Sequence, residues 1–392
     1  MLRKCAGQVF GECLKGERMK QKYDIAAFVW PSYTGDELRS RMFWPEGIGE
    51  WQTVKTATAK FEGHTWPRKP LWGYVNEADP KVMEMEINEA VRHGVNVFIY
   101  DWYWFDGRPF LENCLNDGFL KAKNCKDMQF YIMWANHNAN HLWNKELSDT
   151  ECGETVIWRG AVDRDGFRKA TRRICDQYFG IENYYKIDGC PVLMIYELPR
   201  LLEGMGTLEE VAAALAEFRE YVKSKGFPDV HLQFTGRGKD VPDLSGVDAG
   251  SAVSDFEEKI KALGANSFTH YQFVHFTNID RDYLEVIKDV QNYWDRIDRY
   301  FQIPYFAHVS CGWDNNPRFK KFRPGVVKNN TPENFEKALR MAKAYADKHP
   351  ENPPLITINS WNEWTETSYL QPDDFYGYGY LDAIKKVFVD EE

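Results

Sequence analysis

The feature that most constrains this chain is an alternation. Along its 392 residues, short runs rich in β-branched and aromatic side chains are separated by longer stretches with helical periodicity. The runs span residues 25–30, 95–101, 129–134, 191–196, 231–235, 247–253, 304–309 and 355–360. Most are apolar at successive positions, as expected of parallel strands covered on both faces. The helices between them have readable ends. Asp79 caps one and Pro80 opens it, because proline loses no hydrogen bond at a first helical position. Val82, Met83, Ile87, Ala90 and Val91 form its apolar stripe, and Gly94 stops it. Thr331-Pro332 repeats the device ahead of Phe335, Leu339, Ala342 and Tyr345, and residues 208–225 and 281–300 are further amphipathic helices. Eight such alternations predict an α/β protein, a (β/α)8 TIM barrel, rather than an open doubly wound sheet. Residues 31–76 are too long for a plain βα loop and rich in Trp, Gly and Pro, so they predict an ordered rim, an enlarged first βα loop. Residues 1–22 read as a poorly ordered lead-in and 23–392 as a single catalytic barrel.

Composition removes several functions. Lys and Arg total 49 against 59 Asp and Glu, a net charge of −10, which speaks against nucleic acid or an acidic membrane as a partner. No apolar run approaches the ~20 residues that span a bilayer. The basic first twenty residues lack the apolar stretch of a secretory signal, so the compartment stays open between the cytoplasm, which a missing signal suggests, and export with the signal removed. None of the eight cysteines forms a C-x-x-C, so no zinc cage is expected. His137 and His141 are four apart, but position 138 is Asn where a zinc protease carries Glu. Asn329-Asn330-Thr331, formally a glycosylation sequon, reads as helix capping. No glycine-rich dinucleotide loop follows a strand and no P-loop occurs, so no cofactor is called for. The oligomeric state is not encoded in any pattern we find.

Aromatic residues make up 15% of the chain, and they gather with polar groups where the strands end. Those C-terminal ends form the catalytic face of a parallel barrel. Asp101, Trp102 and Trp104 close the second run; Trp134, Asn136 and His137 the third; Tyr196 and Glu197 the fourth. His308 and Trp313 mark the seventh, and Asn362, Glu363, Trp364 and Glu366 the eighth. Glu50-Trp51 in the long first loop is placed to reach over the mouth. Aromatic faces with carboxylates and amides suit a carbohydrate, whose rings stack while their hydroxyls bond. Glu363 and Glu366 carry the sharpest signal. In an extended strand they would point apart at roughly 3.3 Å per residue. In a tight turn they become neighbours, near the ~5–5.5 Å between the carboxyls of a retaining glycosidase. Two carboxyls that close should be pushed apart in pKa, one an acid and the other a base.

On these residues the sequence resembles the glycoside hydrolase family 99-like proteins, a set also described as glycosyltransferases of polysaccharide-synthesis clusters. The likeness runs from about residue 25 to 388. It rests on Gly49-Glu50-Trp51, on Phe61-Glu62-Gly63-His64, on residues 100–105 (YDWYWF), on Trp134-Ala135-Asn136 and on residues 359–366 (NSWNEWTE). The resemblance implies a TIM barrel and configuration-retaining cleavage of mannosides through a 1,2-anhydro sugar. By position it makes Glu363 the base for the sugar 2-OH and Glu366 the acid/base. Backside attack by O2 requires a 1,2-trans glycoside, such as an α-mannoside or α-rhamnoside. Thr367 stands where family 99 proper has Gly, so the chemistry carries over better than the sugar. The alternatives are a glycosyltransferase of polysaccharide synthesis and a non-catalytic carbohydrate-binding barrel.

Overall fold

A computed structural model of the protein describes residues 21–35, 37–237 and 255–391. Most of the lead-in expected over 1–22, and the run expected as a strand over 247–253, lie outside the described residues. Eight parallel strands build the barrel: β1 (Asp24–Val29), β2 (Val97–Phe105), β3 (Gln129–Trp134), β4 (Cys190–Ile195), β5 (His231–Thr235), β6 (Ser267–Thr269), β7 (His308–Ser310) and β8 (Leu355–Asn359). Each pairs with its sequence neighbour, and β1 closes against β8 with Ala26 opposite Thr357. A parallel bridge from Phe268 to Tyr305, just ahead of β7, brings the last two edges together into a nearly closed ring. This is the (β/α)8 barrel that the alternation predicts.

The strands are buried almost throughout, and every residue of β2 is buried. The sixth strand is the one that the hydrophobic pattern did not mark. Ser267 and Thr269 are fully buried there, and the Thr269 hydroxyl donates to the Phe306 carbonyl. A short strand with two hydroxyl residues escapes a search for apolar runs.

Among the helices, α1 (Trp51–Lys55) is one turn inside the first loop, and α2 (Pro80–Arg92) starts as its sequence indicates. The Asp79 side chain accepts from the Lys81 amide, and Gly94 turns the chain at φ +91° beside Val389, where a Cβ would not fit. The outer layer continues with α3 (Arg164–Ile174), α4 (Leu198–Met205), α5 (Leu208–Ser224), α6 (Asp255–Ala262), α7 (Tyr283–Tyr300), α8 (Pro332–Lys348) and α9 (Gly379–Phe388). The long first loop is an ordered rim. Trp44, Trp51 and Trp66 are buried in it, and the Trp66 indole reaches across to donate to the Thr367 hydroxyl. Among the described residues, no helix is long and apolar enough to cross a membrane.

Candidate active site

The chain beyond β8 makes the tight turn that its two glutamates require. Asn362–Glu363 pairs antiparallel with Ser368–Tyr369, and residues Trp364–Glu366 form a single 3-10 turn between them. In such a turn, side chains three apart lie over one another. Ser360 fixes its base: its hydroxyl donates to the Ser368 carbonyl and accepts from the Glu363 amide. Thr367 leaves the turn at φ +55°, a left-handed conformation that costs a β-branched residue energy. Its hydroxyl offsets that by donating to the Asp314 carbonyl at 2.8 Å while accepting from Trp66.

Glu363 and Glu366 both face a cavity of about 420 Å³ at the C-terminal ends of the strands. Every barrel strand or the loop after it contributes to the wall: Trp30, Asp101 and Tyr103, Ala135 and His137, Tyr196 and Glu197, Arg237, Tyr271, Arg318, and the two glutamates. Arg318 is the hub. Its Nη1 donates to Glu366 Oε1 at 2.7 Å, its Nη2 to Glu363 Oε2 at 3.2 Å, and its Nε to Glu50 Oε1 at 3.2 Å. Glu50 is held from behind by the Trp30 indole, which donates to its Oε2 at 2.5 Å. Opposite Arg318, the Tyr271 hydroxyl lies 3.1 Å from both Glu363 Oε1 and Asp101 Oδ2.

Burial dominates the electrostatics. It pushes the Glu363 carboxyl well above the usual carboxylate range, and the neighbouring Glu366 adds to the shift while Arg318 opposes it. Glu366 is also raised by burial, but less, because Arg318 lies closer to it. Asp101 is pushed well up by burial, and the Tyr271 hydroxyl opposes this. For Arg318, burial works against the charge, but the three glutamates outweigh it and keep the guanidinium ionised. Among the described residues Arg318 alone bonds both Glu363 and Glu366, and burial favours the protonated form of both carboxyls and of Asp101. Burial lowers the His137 pKa, which leaves a neutral imidazole in the wall.

The sequence-derived residues divide sharply. Glu363, Glu366, Asp101, His137, Tyr196 and Glu197 line the cavity. Glu50 lies behind Arg318 and is fully buried, so it supports the arginine rather than meeting a ligand. Trp51 packs on Tyr33 and Trp364, and its indole donates to the Val75 carbonyl. Trp102 points the other way, into the helical layer, where it donates to Glu112; Trp104 stacks on it. Strand alternation explains both, because Asp101 and Tyr103 take the cavity face of β2. Trp134 packs on Phe167 of α3. Asn136 splints two strand ends together through the Glu197 backbone. His308 sits inside the barrel between Thr357 and Ser310, and half-buried Trp313 packs against the core. Asn362 donates to Glu77 on the far side of the strand, and Trp364 stacks on Tyr369 at 3.8 Å.

Arg318 and Tyr271 are the residues bonded to the two glutamate side chains that sequence reasoning missed, and Trp30, Tyr103, Ala135 and Arg237 also join the wall without having been singled out. Tyr271 follows the unrecognised β6, so its strand end was never inspected. Arg318 stands eight residues past β7 in a 3-10 turn, Asn316–Arg318, where no spacing marks it. Among the described residues, no group of three or more His, Cys, Asp or Glu is arranged to hold a metal ion. A larger cavity, of about 980 Å³, lies at the opposite end of the strands beside Tyr23 and Asp24. Lys22 there is paired with Asp347, and the bottom face of such barrels serves stability.

Comparison with known proteins agrees with this architecture. The endo-α-mannosidase of glycoside hydrolase family 99 from Bacteroides thetaiotaomicron superposes with a TM-score of 0.56 at 14% identity, covering 94% of this chain and 96% of that one. A chain described as a glycoside hydrolase-like protein gives 0.57 at 14% identity, with 97% of each chain covered. In sequence, the uncharacterized protein WxcX of Xanthomonas campestris pv. campestris is 25% identical over 346 residues, 88% of this chain and 46% of that protein. The chain therefore spans about half the length of the curated relatives it matches. Residues 25–384 match the family described as "Glycosyltransferase WbsX", and the chain belongs to that family.

Proposed function

We propose that the protein is a retaining glycoside hydrolase that cleaves a 1,2-trans glycosidic bond, of the α-mannoside or α-rhamnoside type, in a glycan or polysaccharide. The observation that carries this reading is the convergence of Glu363 and Glu366 on one cavity at the catalytic end of the barrel, with Arg318 bonded to both. The fold shared with an endo-α-mannosidase supports it.

In this mechanism Glu363 is the base. Tyr271 and Arg318 each place a donor on one of its oxygens, as a carboxylate requires. Glu366 is the acid. Its Oε1 accepts from Arg318, while its Oε2 is buried without a partner and carries the proton. Burial raises Glu363 further than Glu366, so the base role of Glu363 rests on the two donors that face its carboxyl and not on burial. In the first step Glu363 takes the proton of the sugar 2-OH, O2 attacks C1 from behind, and the leaving oxygen takes the Glu366 proton. The product is a 1,2-anhydro sugar. In the second step Glu366 takes a proton from water, the water oxygen attacks C1, and the C1–O2 bond breaks. O2 then recovers the proton held by Glu363. Two inversions give net retention.

The family's description as a glycosyltransferase favours a second reading, in which an acceptor hydroxyl replaces water in the second step. Both readings are tested by digesting a panel of α-mannans and α-rhamnans and weighing the products. The parent protein should release sugars, and Glu363→Gln and Glu366→Gln should each slow release by about 10²–10⁴-fold with the fold intact. Release at the parent rate by either variant contradicts the assigned roles. Elongated products in the presence of a free acceptor sugar favour the transferase.

A further inference from the structure

A single phenol proton links two carboxyl groups in this site. The Tyr271 hydroxyl is 3.1 Å from Glu363 Oε1 and 3.1 Å from Asp101 Oδ2, and it has one hydrogen to give. Burial, reinforced by the carboxylates around it, holds the phenol neutral. If both carboxyls were ionised, one contact would set a phenol lone pair against a carboxylate oxygen with no hydrogen between them. Buried polar atoms do not sit so, and one of the two acids must therefore supply a proton of its own.

The remaining contacts decide which. Glu363 touches a cation: its Oε2 accepts from Arg318 at 3.2 Å. Asp101 makes no such contact among the described residues, and its Oδ1 is buried without a hydrogen-bond partner. The groups that face Asp101 are Tyr103 from its own strand, Tyr271 from the loop after β6, and Glu363 and Glu366 from the turn after β8. None of them is a cation. An ionised Asp101 would add a negative charge to a buried cluster in which one arginine already serves the carboxyls of Glu50, Glu363 and Glu366.

We propose that Asp101 is a neutral carboxylic acid at neutral pH that donates its proton to Tyr271, so that the Tyr271 proton is directed at Glu363 and holds it as the carboxylate. Asp101 is then a positioning residue that acts on the base through the phenol. The proposal rests on the reading of Glu363 as the base, and it differs from a role for Asp101 in binding sugar hydroxyls. Asp101 is also the one described aspartate whose carboxyl is clearly pushed upward; Asp149, Asp165, Asp176, Asp282, Asp298, Asp314 and Asp347 all go down.

The test begins with infrared spectroscopy of the free protein at pH 7, with the side-chain carboxyl carbon of aspartate labelled with carbon-13. The label should move a neutral-carboxyl stretch, and that band should vanish in Asp101→Asn. Glu363→Gln should instead remove carboxylate bands. If the label moves no neutral band, or if the neutral band is lost in Glu363→Gln, the proton is not on Asp101 and the proposal fails. The labelled parent decides this even if a variant does not fold. A second arm compares turnover. Asparagine keeps a donor for Tyr271 and leucine has none, so Asp101→Asn should outpace Asp101→Leu by at least about tenfold, the worth of one good hydrogen bond. Equal losses overturn the positioning role. Neither infrared result requires a substrate, so a parent protein that cleaves no glycan would refute the proposed function and leave this inference to its spectrum.

Discussion

Two clusters of buried acids flank the turn after β8, and among the described residues the one at the mouth lines a cavity while the one behind is enclosed by protein. At the mouth, Glu363, Glu366 and Asp101 surround Arg318 and Tyr271. Behind the same turn, Glu77 and Glu86 are fully buried against the neighbouring residues Trp361 and Asn362. Asn362 Nδ2 and Gln371 Nε2 donate to Glu77, at 2.9 and 3.0 Å, and the Trp361 indole donates to Glu86 at 2.8 Å. Burial raises both rear acids, Glu77 well above the carboxylate range and Glu86 to about 7. Raised pKa values therefore do not tell the clusters apart. The mouth cluster has a cation at its centre and open space in front, so its protons have somewhere to go. The rear cluster is closed by amide and indole donors, and its acids splint the strand end that presents Glu363. Perturbed acids become candidates for catalysis only where they converge on a cavity.

This contrast makes predictions of decreasing size. The largest effect belongs to the mouth. Glu366→Gln should lose about 10²–10⁴ in turnover on a natural glycan yet recover most of the first bond-breaking step on an aryl glycoside, read as the initial burst of phenol, because that leaving group needs no acid; Glu363→Gln should recover nothing. A Glu366→Gln variant equally slow on both substrates would break the assignment. Next is Arg318→Met, which leaves buried carboxylates without their cation. It should cost about 3–5 kcal/mol in chemical denaturation, and a loss below about 1 kcal/mol would show that the pairing is not what holds the site.

The rear cluster should respond to pH rather than to substrate. Glu86 ionises at about 7 in the fold and near 4.5 when unfolded. A raised acid stabilises the fold while it is protonated, fully below pH 4.5, and that share is lost as pH rises through 7. Glutamine carries no such proton. The stability of the parent relative to Glu86→Gln should therefore fall between those pH values, by on the order of 1–3 kcal/mol, as read from melting curves across pH. A flat difference would mean that Glu86 is already ionised in the fold. The smallest effect is that of Glu77→Gln, which keeps most hydrogen bonds of the pocket: about 1 kcal/mol in stability, and a turnover loss well below that of either mouth variant.

Much of this was legible from sequence because barrel topology sends the ends of all strands to one place. Polar residues at those ends were therefore sound candidates, and Asp101, His137, Tyr196, Glu197, Glu363 and Glu366 do share the cavity. The tryptophans were harder to place. Consecutive strand residues face opposite ways, so Trp102 and Trp104 went to the helical layer while Asp101 and Tyr103 took the mouth. Large aromatics also fill space wherever a long loop folds back, as Trp51 does between Tyr33 and Trp364. Arg318 was illegible for another reason. Its partners Glu50, Glu363 and Glu366 are distant in sequence and meet only when the first loop, the loop after β7 and the turn after β8 close on one another. Tyr271 was lost with β6, whose hydroxyl residues bond other strands inside the barrel, Thr269 to Thr357 and Ser267 to His231, and leave no apolar run.

The claim beneath all of this is that the paired glutamates break a glycosidic bond with retention at C1. The most direct measurement is proton NMR of the first product released from a cleaved α-mannan or α-rhamnan, before mutarotation. The account predicts that the fresh reducing end appears as the α anomer. A β anomer formed first would contradict it.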